Sequence, residues 1–122
     1  MKSVLVVDDS NTIRTLIKSM IEDIDEVDIF EASSGLEALK FLPRQPFDLI
    51  VTDINMPDIN GFELINFVKN NDRYRHIPVI FVSTERGEED VKKGLSLGAF
   101  AYITKPFNAE GLVEVVKKAL NL

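Results

Sequence analysis

Four short apolar runs each end in residues able to do chemistry. Val4-Leu5-Val6-Val7 leads into Asp8-Asp9, Leu49-Ile50-Val51 into Asp53, Val79-Ile80-Phe81-Val82 into Ser83-Thr84, and Ala101-Tyr102-Ile103 into Lys105. Brought to one place, they would supply three carboxylates, a hydroxyl and an ammonium. Neighbouring carboxylates repel and raise one another's pKa. A hard divalent cation removes that conflict, and magnesium takes oxygen ligands, commonly one or two carboxylates completed by water and phosphate oxygens. A carboxylate that keeps one oxygen free can attack phosphorus and form an acyl phosphate. The charge on a transferring phosphoryl group is met by a cation, an ammonium and a hydroxyl. Each residue also has an ordinary reading. Asp8-Asp9 would serve as a helix cap and dipole partner, Asp53 as a turn residue, Ser83 as a local backbone acceptor, and Lys105 as a solvated lysine. The joint pattern is what these ordinary readings explain poorly.

The elements that must position these groups follow from periodicity. The four runs, with Val27-Asp28-Ile29-Phe30, read as five strands. The segments between them carry helical spacing: Ile13, Ile17, Met20, Ile21 and Ile24; Leu36, Leu39 and Leu42; Gly61, Leu64, Ile65 and Val68; Val91, Leu95 and Gly98; Leu112, Val116, Ala119 and Leu120. Ser34 with Glu37 forms a predicted capping box, and Asn60 and Asn108 are predicted caps of the third and fifth helices. Strands alternating with helices mean a parallel sheet covered on both faces. The run from Val27 to Glu31 is the most polar and is predicted to be an edge strand. In open sheets of this kind ligands bind beyond the carboxyl ends of the strands, where the strand order reverses. The chemical residues lie at those ends.

Composition narrows the class. The chain has 122 residues, which is one domain's length, and 45% are hydrophobic, which excludes a mostly disordered chain. With 14 Lys+Arg against 20 Asp+Glu the net charge is −6, which argues against direct nucleic-acid binding or an anionic membrane as partner. Cysteine is absent, so disulfides, thiolate metal sites and Cys nucleophiles are excluded. No apolar run is long enough to insert in a membrane. The acidic start, Met1 to Asp9, does not read as a signal peptide, so a cytoplasmic protein is expected.

These residues resemble the response-regulator receiver domains of the CheY type. The resemblance is carried by Val6-Val7-Asp8-Asp9-Ser10, by Asp53-Ile54-Asn55-Met56-Pro57-Asp58-Ile59-Asn60-Gly61, by Val82-Ser83-Thr84, and by Tyr102-Ile103-Thr104-Lys105-Pro106-Phe107. It spans essentially residues 1–122 as one stand-alone receiver domain. It implies an α/β, flavodoxin-like, doubly wound sheet of five parallel strands in the order 2-1-3-4-5 with five helices, the order that is itself a standard example of this architecture. It further implies Asp53 as phosphoacceptor, Asp8, Asp9 and Asp53 with the Asn55 backbone carbonyl as the Mg²⁺ site (Mn²⁺ as a substitute), Ser83 and Lys105 as phosphoryl-binding groups, and Tyr102 as an aromatic switch that turns inward when Ser83 moves. Asn55 and Glu85 are implied to orient water, and the Lys105-Pro106 bond is implied to be cis. The function so implied is a two-component, phosphorelay signalling switch. It would take its phosphoryl group from a sensor histidine kinase or a histidine phosphotransfer protein, alter its binding to a downstream target protein, and catalyse only its own phosphorylation and dephosphorylation. Chemotaxis is among the pathways this admits.

Two positions depart from the family pattern. Thr84 stands where a smaller residue is usual, and its methyl group is expected to narrow access to the site. Asn60-Gly61 replaces Asp-Gly, and both suit a cap. Three rival readings fit less well. An Asp-nucleophile phosphatase would want an insertion to cover its substrate; a flavin carrier would want a hydroxyl- and Gly-rich loop where Asp8-Asp9-Ser10-Asn11 stands; a pseudo-receiver would lack Asp53, Ser83 or Lys105. Gly94, inside the fourth helix, reads either as a loose point that shifts on activation or as a close-packing position. His76, the one histidine, reads as a loop residue rather than a phosphorelay site. Lys92-Lys93 and Lys117-Lys118 read as solvated helix faces or as part of a partner-docking surface.

Overall fold

The computed structural model describes residues 1–122. The chain runs β1 (Lys2–Val7), α1 (Asn11–Ile21), β2 (Val27–Ala32), α2 (Gly35–Phe41), a 3₁₀ turn (Leu42–Arg44), β3 (Leu49–Thr52), α3 (Gly61–Lys69), β4 (Val79–Ser83), α4 (Glu88–Ser96), β5 (Ala101–Thr104) and α5 (Ala109–Leu120). The strands are parallel and lie in the order β2-β1-β3-β4-β5, so the order reverses between β1 and β3. This is the flavodoxin-like sheet that the resemblance implied.

Alternation along the strands divides the interior into two cores. Val4 and Val6 of β1 join Ile17 and Ile21 of α1 and Leu112, Val116 and Leu120 of α5 on one face. Leu5 and Val7 join Leu64, Ile65 and Val68 of α3 and Ala38 of α2 on the other. Strands β1, β3 and β4 are buried almost throughout, whereas every residue of β5 is only half-buried, as expected of an edge strand. No helix is long and apolar enough to cross a membrane.

The helix starts are set as predicted except at α2. Asn60 and Asn108 cap α3 and α5 by accepting from the Glu63 and Gly111 amides at 2.8 and 2.7 Å. At α2, Ser34 Oγ accepts from the Glu37 amide at 3.0 Å, but the Glu37 carboxylate accepts from the Ser33 amide, one residue earlier than a capping box requires. The reciprocal box forms instead at α3, where Glu63 accepts from the Asn60 amide at 3.1 Å. Along α4 the expected apolar face of Val91, Leu95 and Gly98 does not hold. Leu95 is 47% exposed, Gly98 lies beyond the helix at φ 105°, and the buried residue is Gly94. With so little apolar surface of its own, α4 approaches the sheet through a residue without a side chain. A Cβ at Gly94 would stand 3.1 Å from both Phe81 and Tyr102 ring carbons. Close packing is therefore the structural reason for this glycine.

Candidate functional site

The sheet ladder carries the chemical residues one position beyond the strands. The Asp8 amide donates to Ala32 of β2 at 3.1 Å, the Asp53 amide to Val7 of β1 at 2.9 Å, and the Lys105 amide to Ser83 of β4 at 2.7 Å. Each group is thus held by backbone bonds to a neighbouring strand and emerges at the same rim. The loop after β3 folds back because the Gly61 amide donates to the Ile54 carbonyl at 2.8 Å, and a Cβ at Gly61 would fall 2.4 Å from the Asp53 carbonyl oxygen. Only glycine lets α3 start this close to the residue at the centre of the rim.

The Asp8, Asp9 and Asp53 carboxylates each place an oxygen within 4.8 Å of the others. Asp8 and Asp53 are buried and Asp9 is exposed. Lys105 Nζ bridges the buried pair, 3.2 Å from Asp8 Oδ2 and 3.7 Å from Asp53 Oδ1. Asp8 Oδ1 accepts from the Ser10 amide at 2.9 Å, and Asp53 Oδ1 from the Ile54 amide at 2.7 Å. Burial, and next the charge of Asp8, hold the Asp53 carboxyl above the ordinary Asp range; Lys105 opposes them and is outweighed. The site therefore carries more negative charge than its one ammonium balances. The donors are hard oxygens only, and the Asn55 carbonyl, beside them in sequence, is engaged by no protein donor. That set fits a hard divalent cation such as magnesium.

The remaining predicted residues border this cluster. Ser83 is fully buried, and its Oγ accepts from the Glu85 amide at 3.1 Å. The Tyr102 hydroxyl donates to the Glu85 carbonyl at 2.8 Å, and its ring packs edge-on against Phe81 with centroids 6.0 Å apart. Tyr102 is half-buried, and burial raises the pKa of its phenol. Asn55 Nδ2 donates to Glu85 Oε1 at 2.9 Å, joining the loops after β3 and β4. Thr84 is exposed and shares a shallow hollow with Arg86 and Lys105. The Lys105-Pro106 bond is cis.

Comparison with known proteins accounts for this arrangement. Residues 4–117 match the family model described as the response regulator receiver domain. The chain belongs to that family. Among similar receivers, "Chemotaxis protein CheY" of Pseudomonas aeruginosa is 36% identical, with 94% of this chain and 93% of that protein covered. "Chemotaxis protein CheY1" of Helicobacter pylori is 38% identical, with 95% and 94% covered. Chemotaxis response regulator CheY4 of Vibrio cholerae superposes with a TM-score of 0.89 at 34% identity, over 98% of this chain and 99% of that one. The signal receiver domain of a histidine kinase from Syntrophus aciditrophicus gives 0.90 at 32% identity, over 99% and 91%. This chain is thus a receiver of the CheY type with the same sheet.

Two residues that support the receiver site escaped the reading of the sequence. Arg14 Nη1 donates to the Asp8 carbonyl at 2.7 Å while its Nε donates to Glu31 at 3.2 Å, so it ties the loop after β1 to β2. Asp58 accepts from the Leu36 and Gly35 amides at 2.9 and 3.3 Å, pinning the loop that carries Asn55 to the start of α2. The signal for Arg14 was its place one turn into α1; Asp58 stands inside the Asp53–Gly61 motif, but its partners lie more than twenty positions away in the chain.

Proposed function

We propose that Asp53 accepts a phosphoryl group from a phosphohistidine on a histidine kinase or histidine phosphotransfer protein, and that the modified receiver changes its binding to a downstream protein. The observation that carries this reading is the buried Asp53 carboxylate beside Asp8, bridged by Lys105 and held above its usual pKa. Asp53 Oδ1 is already engaged by the Ile54 amide, which leaves Oδ2 as the nucleophile. The O–P bond forms as the P–N bond of phosphohistidine breaks, and the imidazole leaves as a neutral base after taking a proton. Asp8, Asp9, Asp53 and the Asn55 carbonyl would hold Mg²⁺, or Mn²⁺ in its place. When bound, the cation neutralises carboxylate repulsion and the charge of the transferring group.

Lys105 then exchanges its contact with Asp53 for a phosphoryl oxygen, and Ser83 supplies a hydroxyl to another. Hydrogen bonds to charged groups contribute about 1.5–3 kcal/mol each. Together they supply part of the ~5.5 kcal/mol that carries a population from 1:99 to 99:1. Ser83 is joined through the Glu85 backbone to the Tyr102 hydroxyl, so a change at Ser83 reaches the outer face of β5. The linked Asn55 and Glu85 side chains are placed to orient the water that hydrolyses the acyl phosphate, and Thr84 narrows its approach. The receiver therefore catalyses only its own modification and its reversal. Its place is the cytoplasm, where such donors occur. Because several relatives bear chemotaxis names, a motility component is one candidate target.

Incubation with acetyl phosphate and Mg²⁺, followed by intact-mass measurement, tests the reading. It predicts one added phosphoryl group, absent in EDTA and in Asp53→Asn. Labelling that persists in Asp53→Asn would refute it.

A further inference from the structure

A second recess lies at the opposite pole of the sheet, at the amino ends of β3 and β4. It encloses about 310 Å³ between the 42–47 segment and the 73–77 loop. Its floor is apolar and closed, formed by Leu42, Phe47 and Ile77, each 2% exposed. Arg44 and Arg73 line it from its two sides, with His76 beside them. In a chain of net charge −6, none of its lining residues is acidic. Neither arginine is paired with a carboxylate. The nearby acids are engaged elsewhere: Asp72 pairs with Arg75 at 3.2 Å, and Asp48 accepts from the Ser3 amide at 2.8 Å.

Both guanidinium groups are held over aromatic rings. Arg44 lies 5.7 Å from the Phe41 centroid and Arg73 lies 5.5 Å from that of Tyr74, while Arg73 Nη2 also reaches the Pro43 carbonyl at 3.4 Å. Apart from that Pro43 contact neither guanidinium has a protein acceptor, and free guanidinium N–H groups recognise phosphate by paired hydrogen bonds. The volume stands at the lower end of small-molecule sites, which combine an apolar lining with a few convergent polar groups.

We propose that this recess binds a small phosphomonoester carrying a ring, with the phosphate between Arg44 and Arg73 and the ring against the exposed Pro43 and Pro46. Such a site would give the receiver a second input, separated from Asp53 by the length of the sheet. It does not depend on the phosphorylation chemistry at the other pole.

AMP is a suitable probe, with adenosine as the control lacking phosphate, in amide NMR titrations at constant ionic strength. The expected result is saturable shifts confined to residues 42–47 and 73–77 with AMP and none with adenosine. Arg44→Gln with Arg73→Gln should weaken AMP binding at least tenfold, each single change giving a smaller loss, with an unchanged melting temperature. Both side chains are exposed, so the variants keep the fold. Asp53→Asn should bind AMP as the wild type does. Non-saturating shifts, shifts centred on Lys105, equal binding of adenosine, or undiminished affinity in the double variant would overturn the proposal.

Discussion

Replacing Asp53 with asparagine should make the metal-free protein more stable. With carboxylate oxygens no more than 4.8 Å apart, the Asp8 and Asp53 charges repel by at least ~3.5 kcal/mol at an effective dielectric of ~20. Lys105, 3.7 Å from Asp53, attracts it by ~4.5 kcal/mol on the same scale. The substitution removes both terms, which nearly cancel, and the further repulsion from exposed Asp9 narrows the remainder. What is left is the burial of a charge, the largest cause of the raised Asp53 pKa. An amide of the same shape keeps the bond from Ile54 without that penalty, so a gain of about 1–2 kcal/mol is expected, which is ~3–8 °C in Tm for a domain of this size. The sign follows from linkage. A carboxyl whose folded pKa lies above its unfolded value penalises the folded state once ionised. The penalty is absent below the unfolded pKa, grows as pH rises through the interval, and is complete above the folded pKa. Thermal melts in EDTA should therefore show the variant above the wild type at neutral pH, the gap closing in acid as Asp53 protonates. Saturating Mg²⁺ should reverse the order, since a ligand at a hundred times its Kd adds ~2.7 kcal/mol to the form that binds it. A variant less stable than the wild type in EDTA at neutral pH would refute the electrostatic account of the site.

Other substitutions test separate links. Gly94→Ala should destabilise by about 1 kcal/mol, because crowding against Phe81 and Tyr102 outweighs the ~1 kcal/mol gained in helix propensity; it should also break the Tyr102–Glu85 bond, and a stabilised variant with unshifted Tyr102 resonances would contradict this. Asp58→Ala should lower Mg²⁺ affinity in calorimetric titrations and the hydrogen-exchange protection of the Gly35 and Leu36 amides. Backbone hydrogen bonding, from Ile59 first and then Leu36, lowers the Asp58 pKa, so its contribution is present above the usual Asp pKa and lost as pH falls through the lowered value; unchanged exchange at neutral pH would dismiss the clamp. Thr84→Ala should change the dephosphorylation rate more than the metal affinity, since Thr84 borders the mouth of the site and is no ligand; an unchanged rate would reject that role.

What the sequence made legible was whatever depends on local pattern. Apolar runs without alternation marked β1, β3 and β4, because strands buried on both faces have no polar side to show. Asp8, Asp53 and Ser83 were readable because polar residues at the ends of such runs have one common rim to occupy. What was not legible depends on partners distant in the chain. The Glu37 carboxylate turns to Ser33 rather than Ser34, a choice of backbone geometry that no residue type announces. The face of α4 was misjudged because Gly94 is buried against two aromatic rings that come from other elements. Arg14 and Asp58 stayed hidden because Glu31 and the start of α2 are brought to them only by the folded sheet. The joining of Asn55 to Glu85, both already singled out, likewise needed the loops after β3 and β4 to be set side by side.

The most direct test of the central claim is to locate the phosphoryl group on the chain. After reaction with acetyl phosphate and Mg²⁺, borohydride reduction converts an aspartyl phosphate to homoserine, and peptide mass spectrometry reads its position. The account predicts homoserine at residue 53 and nowhere else. Homoserine at residue 8 or 9, or an unreduced phosphoester on Ser83 or Thr84, would contradict it.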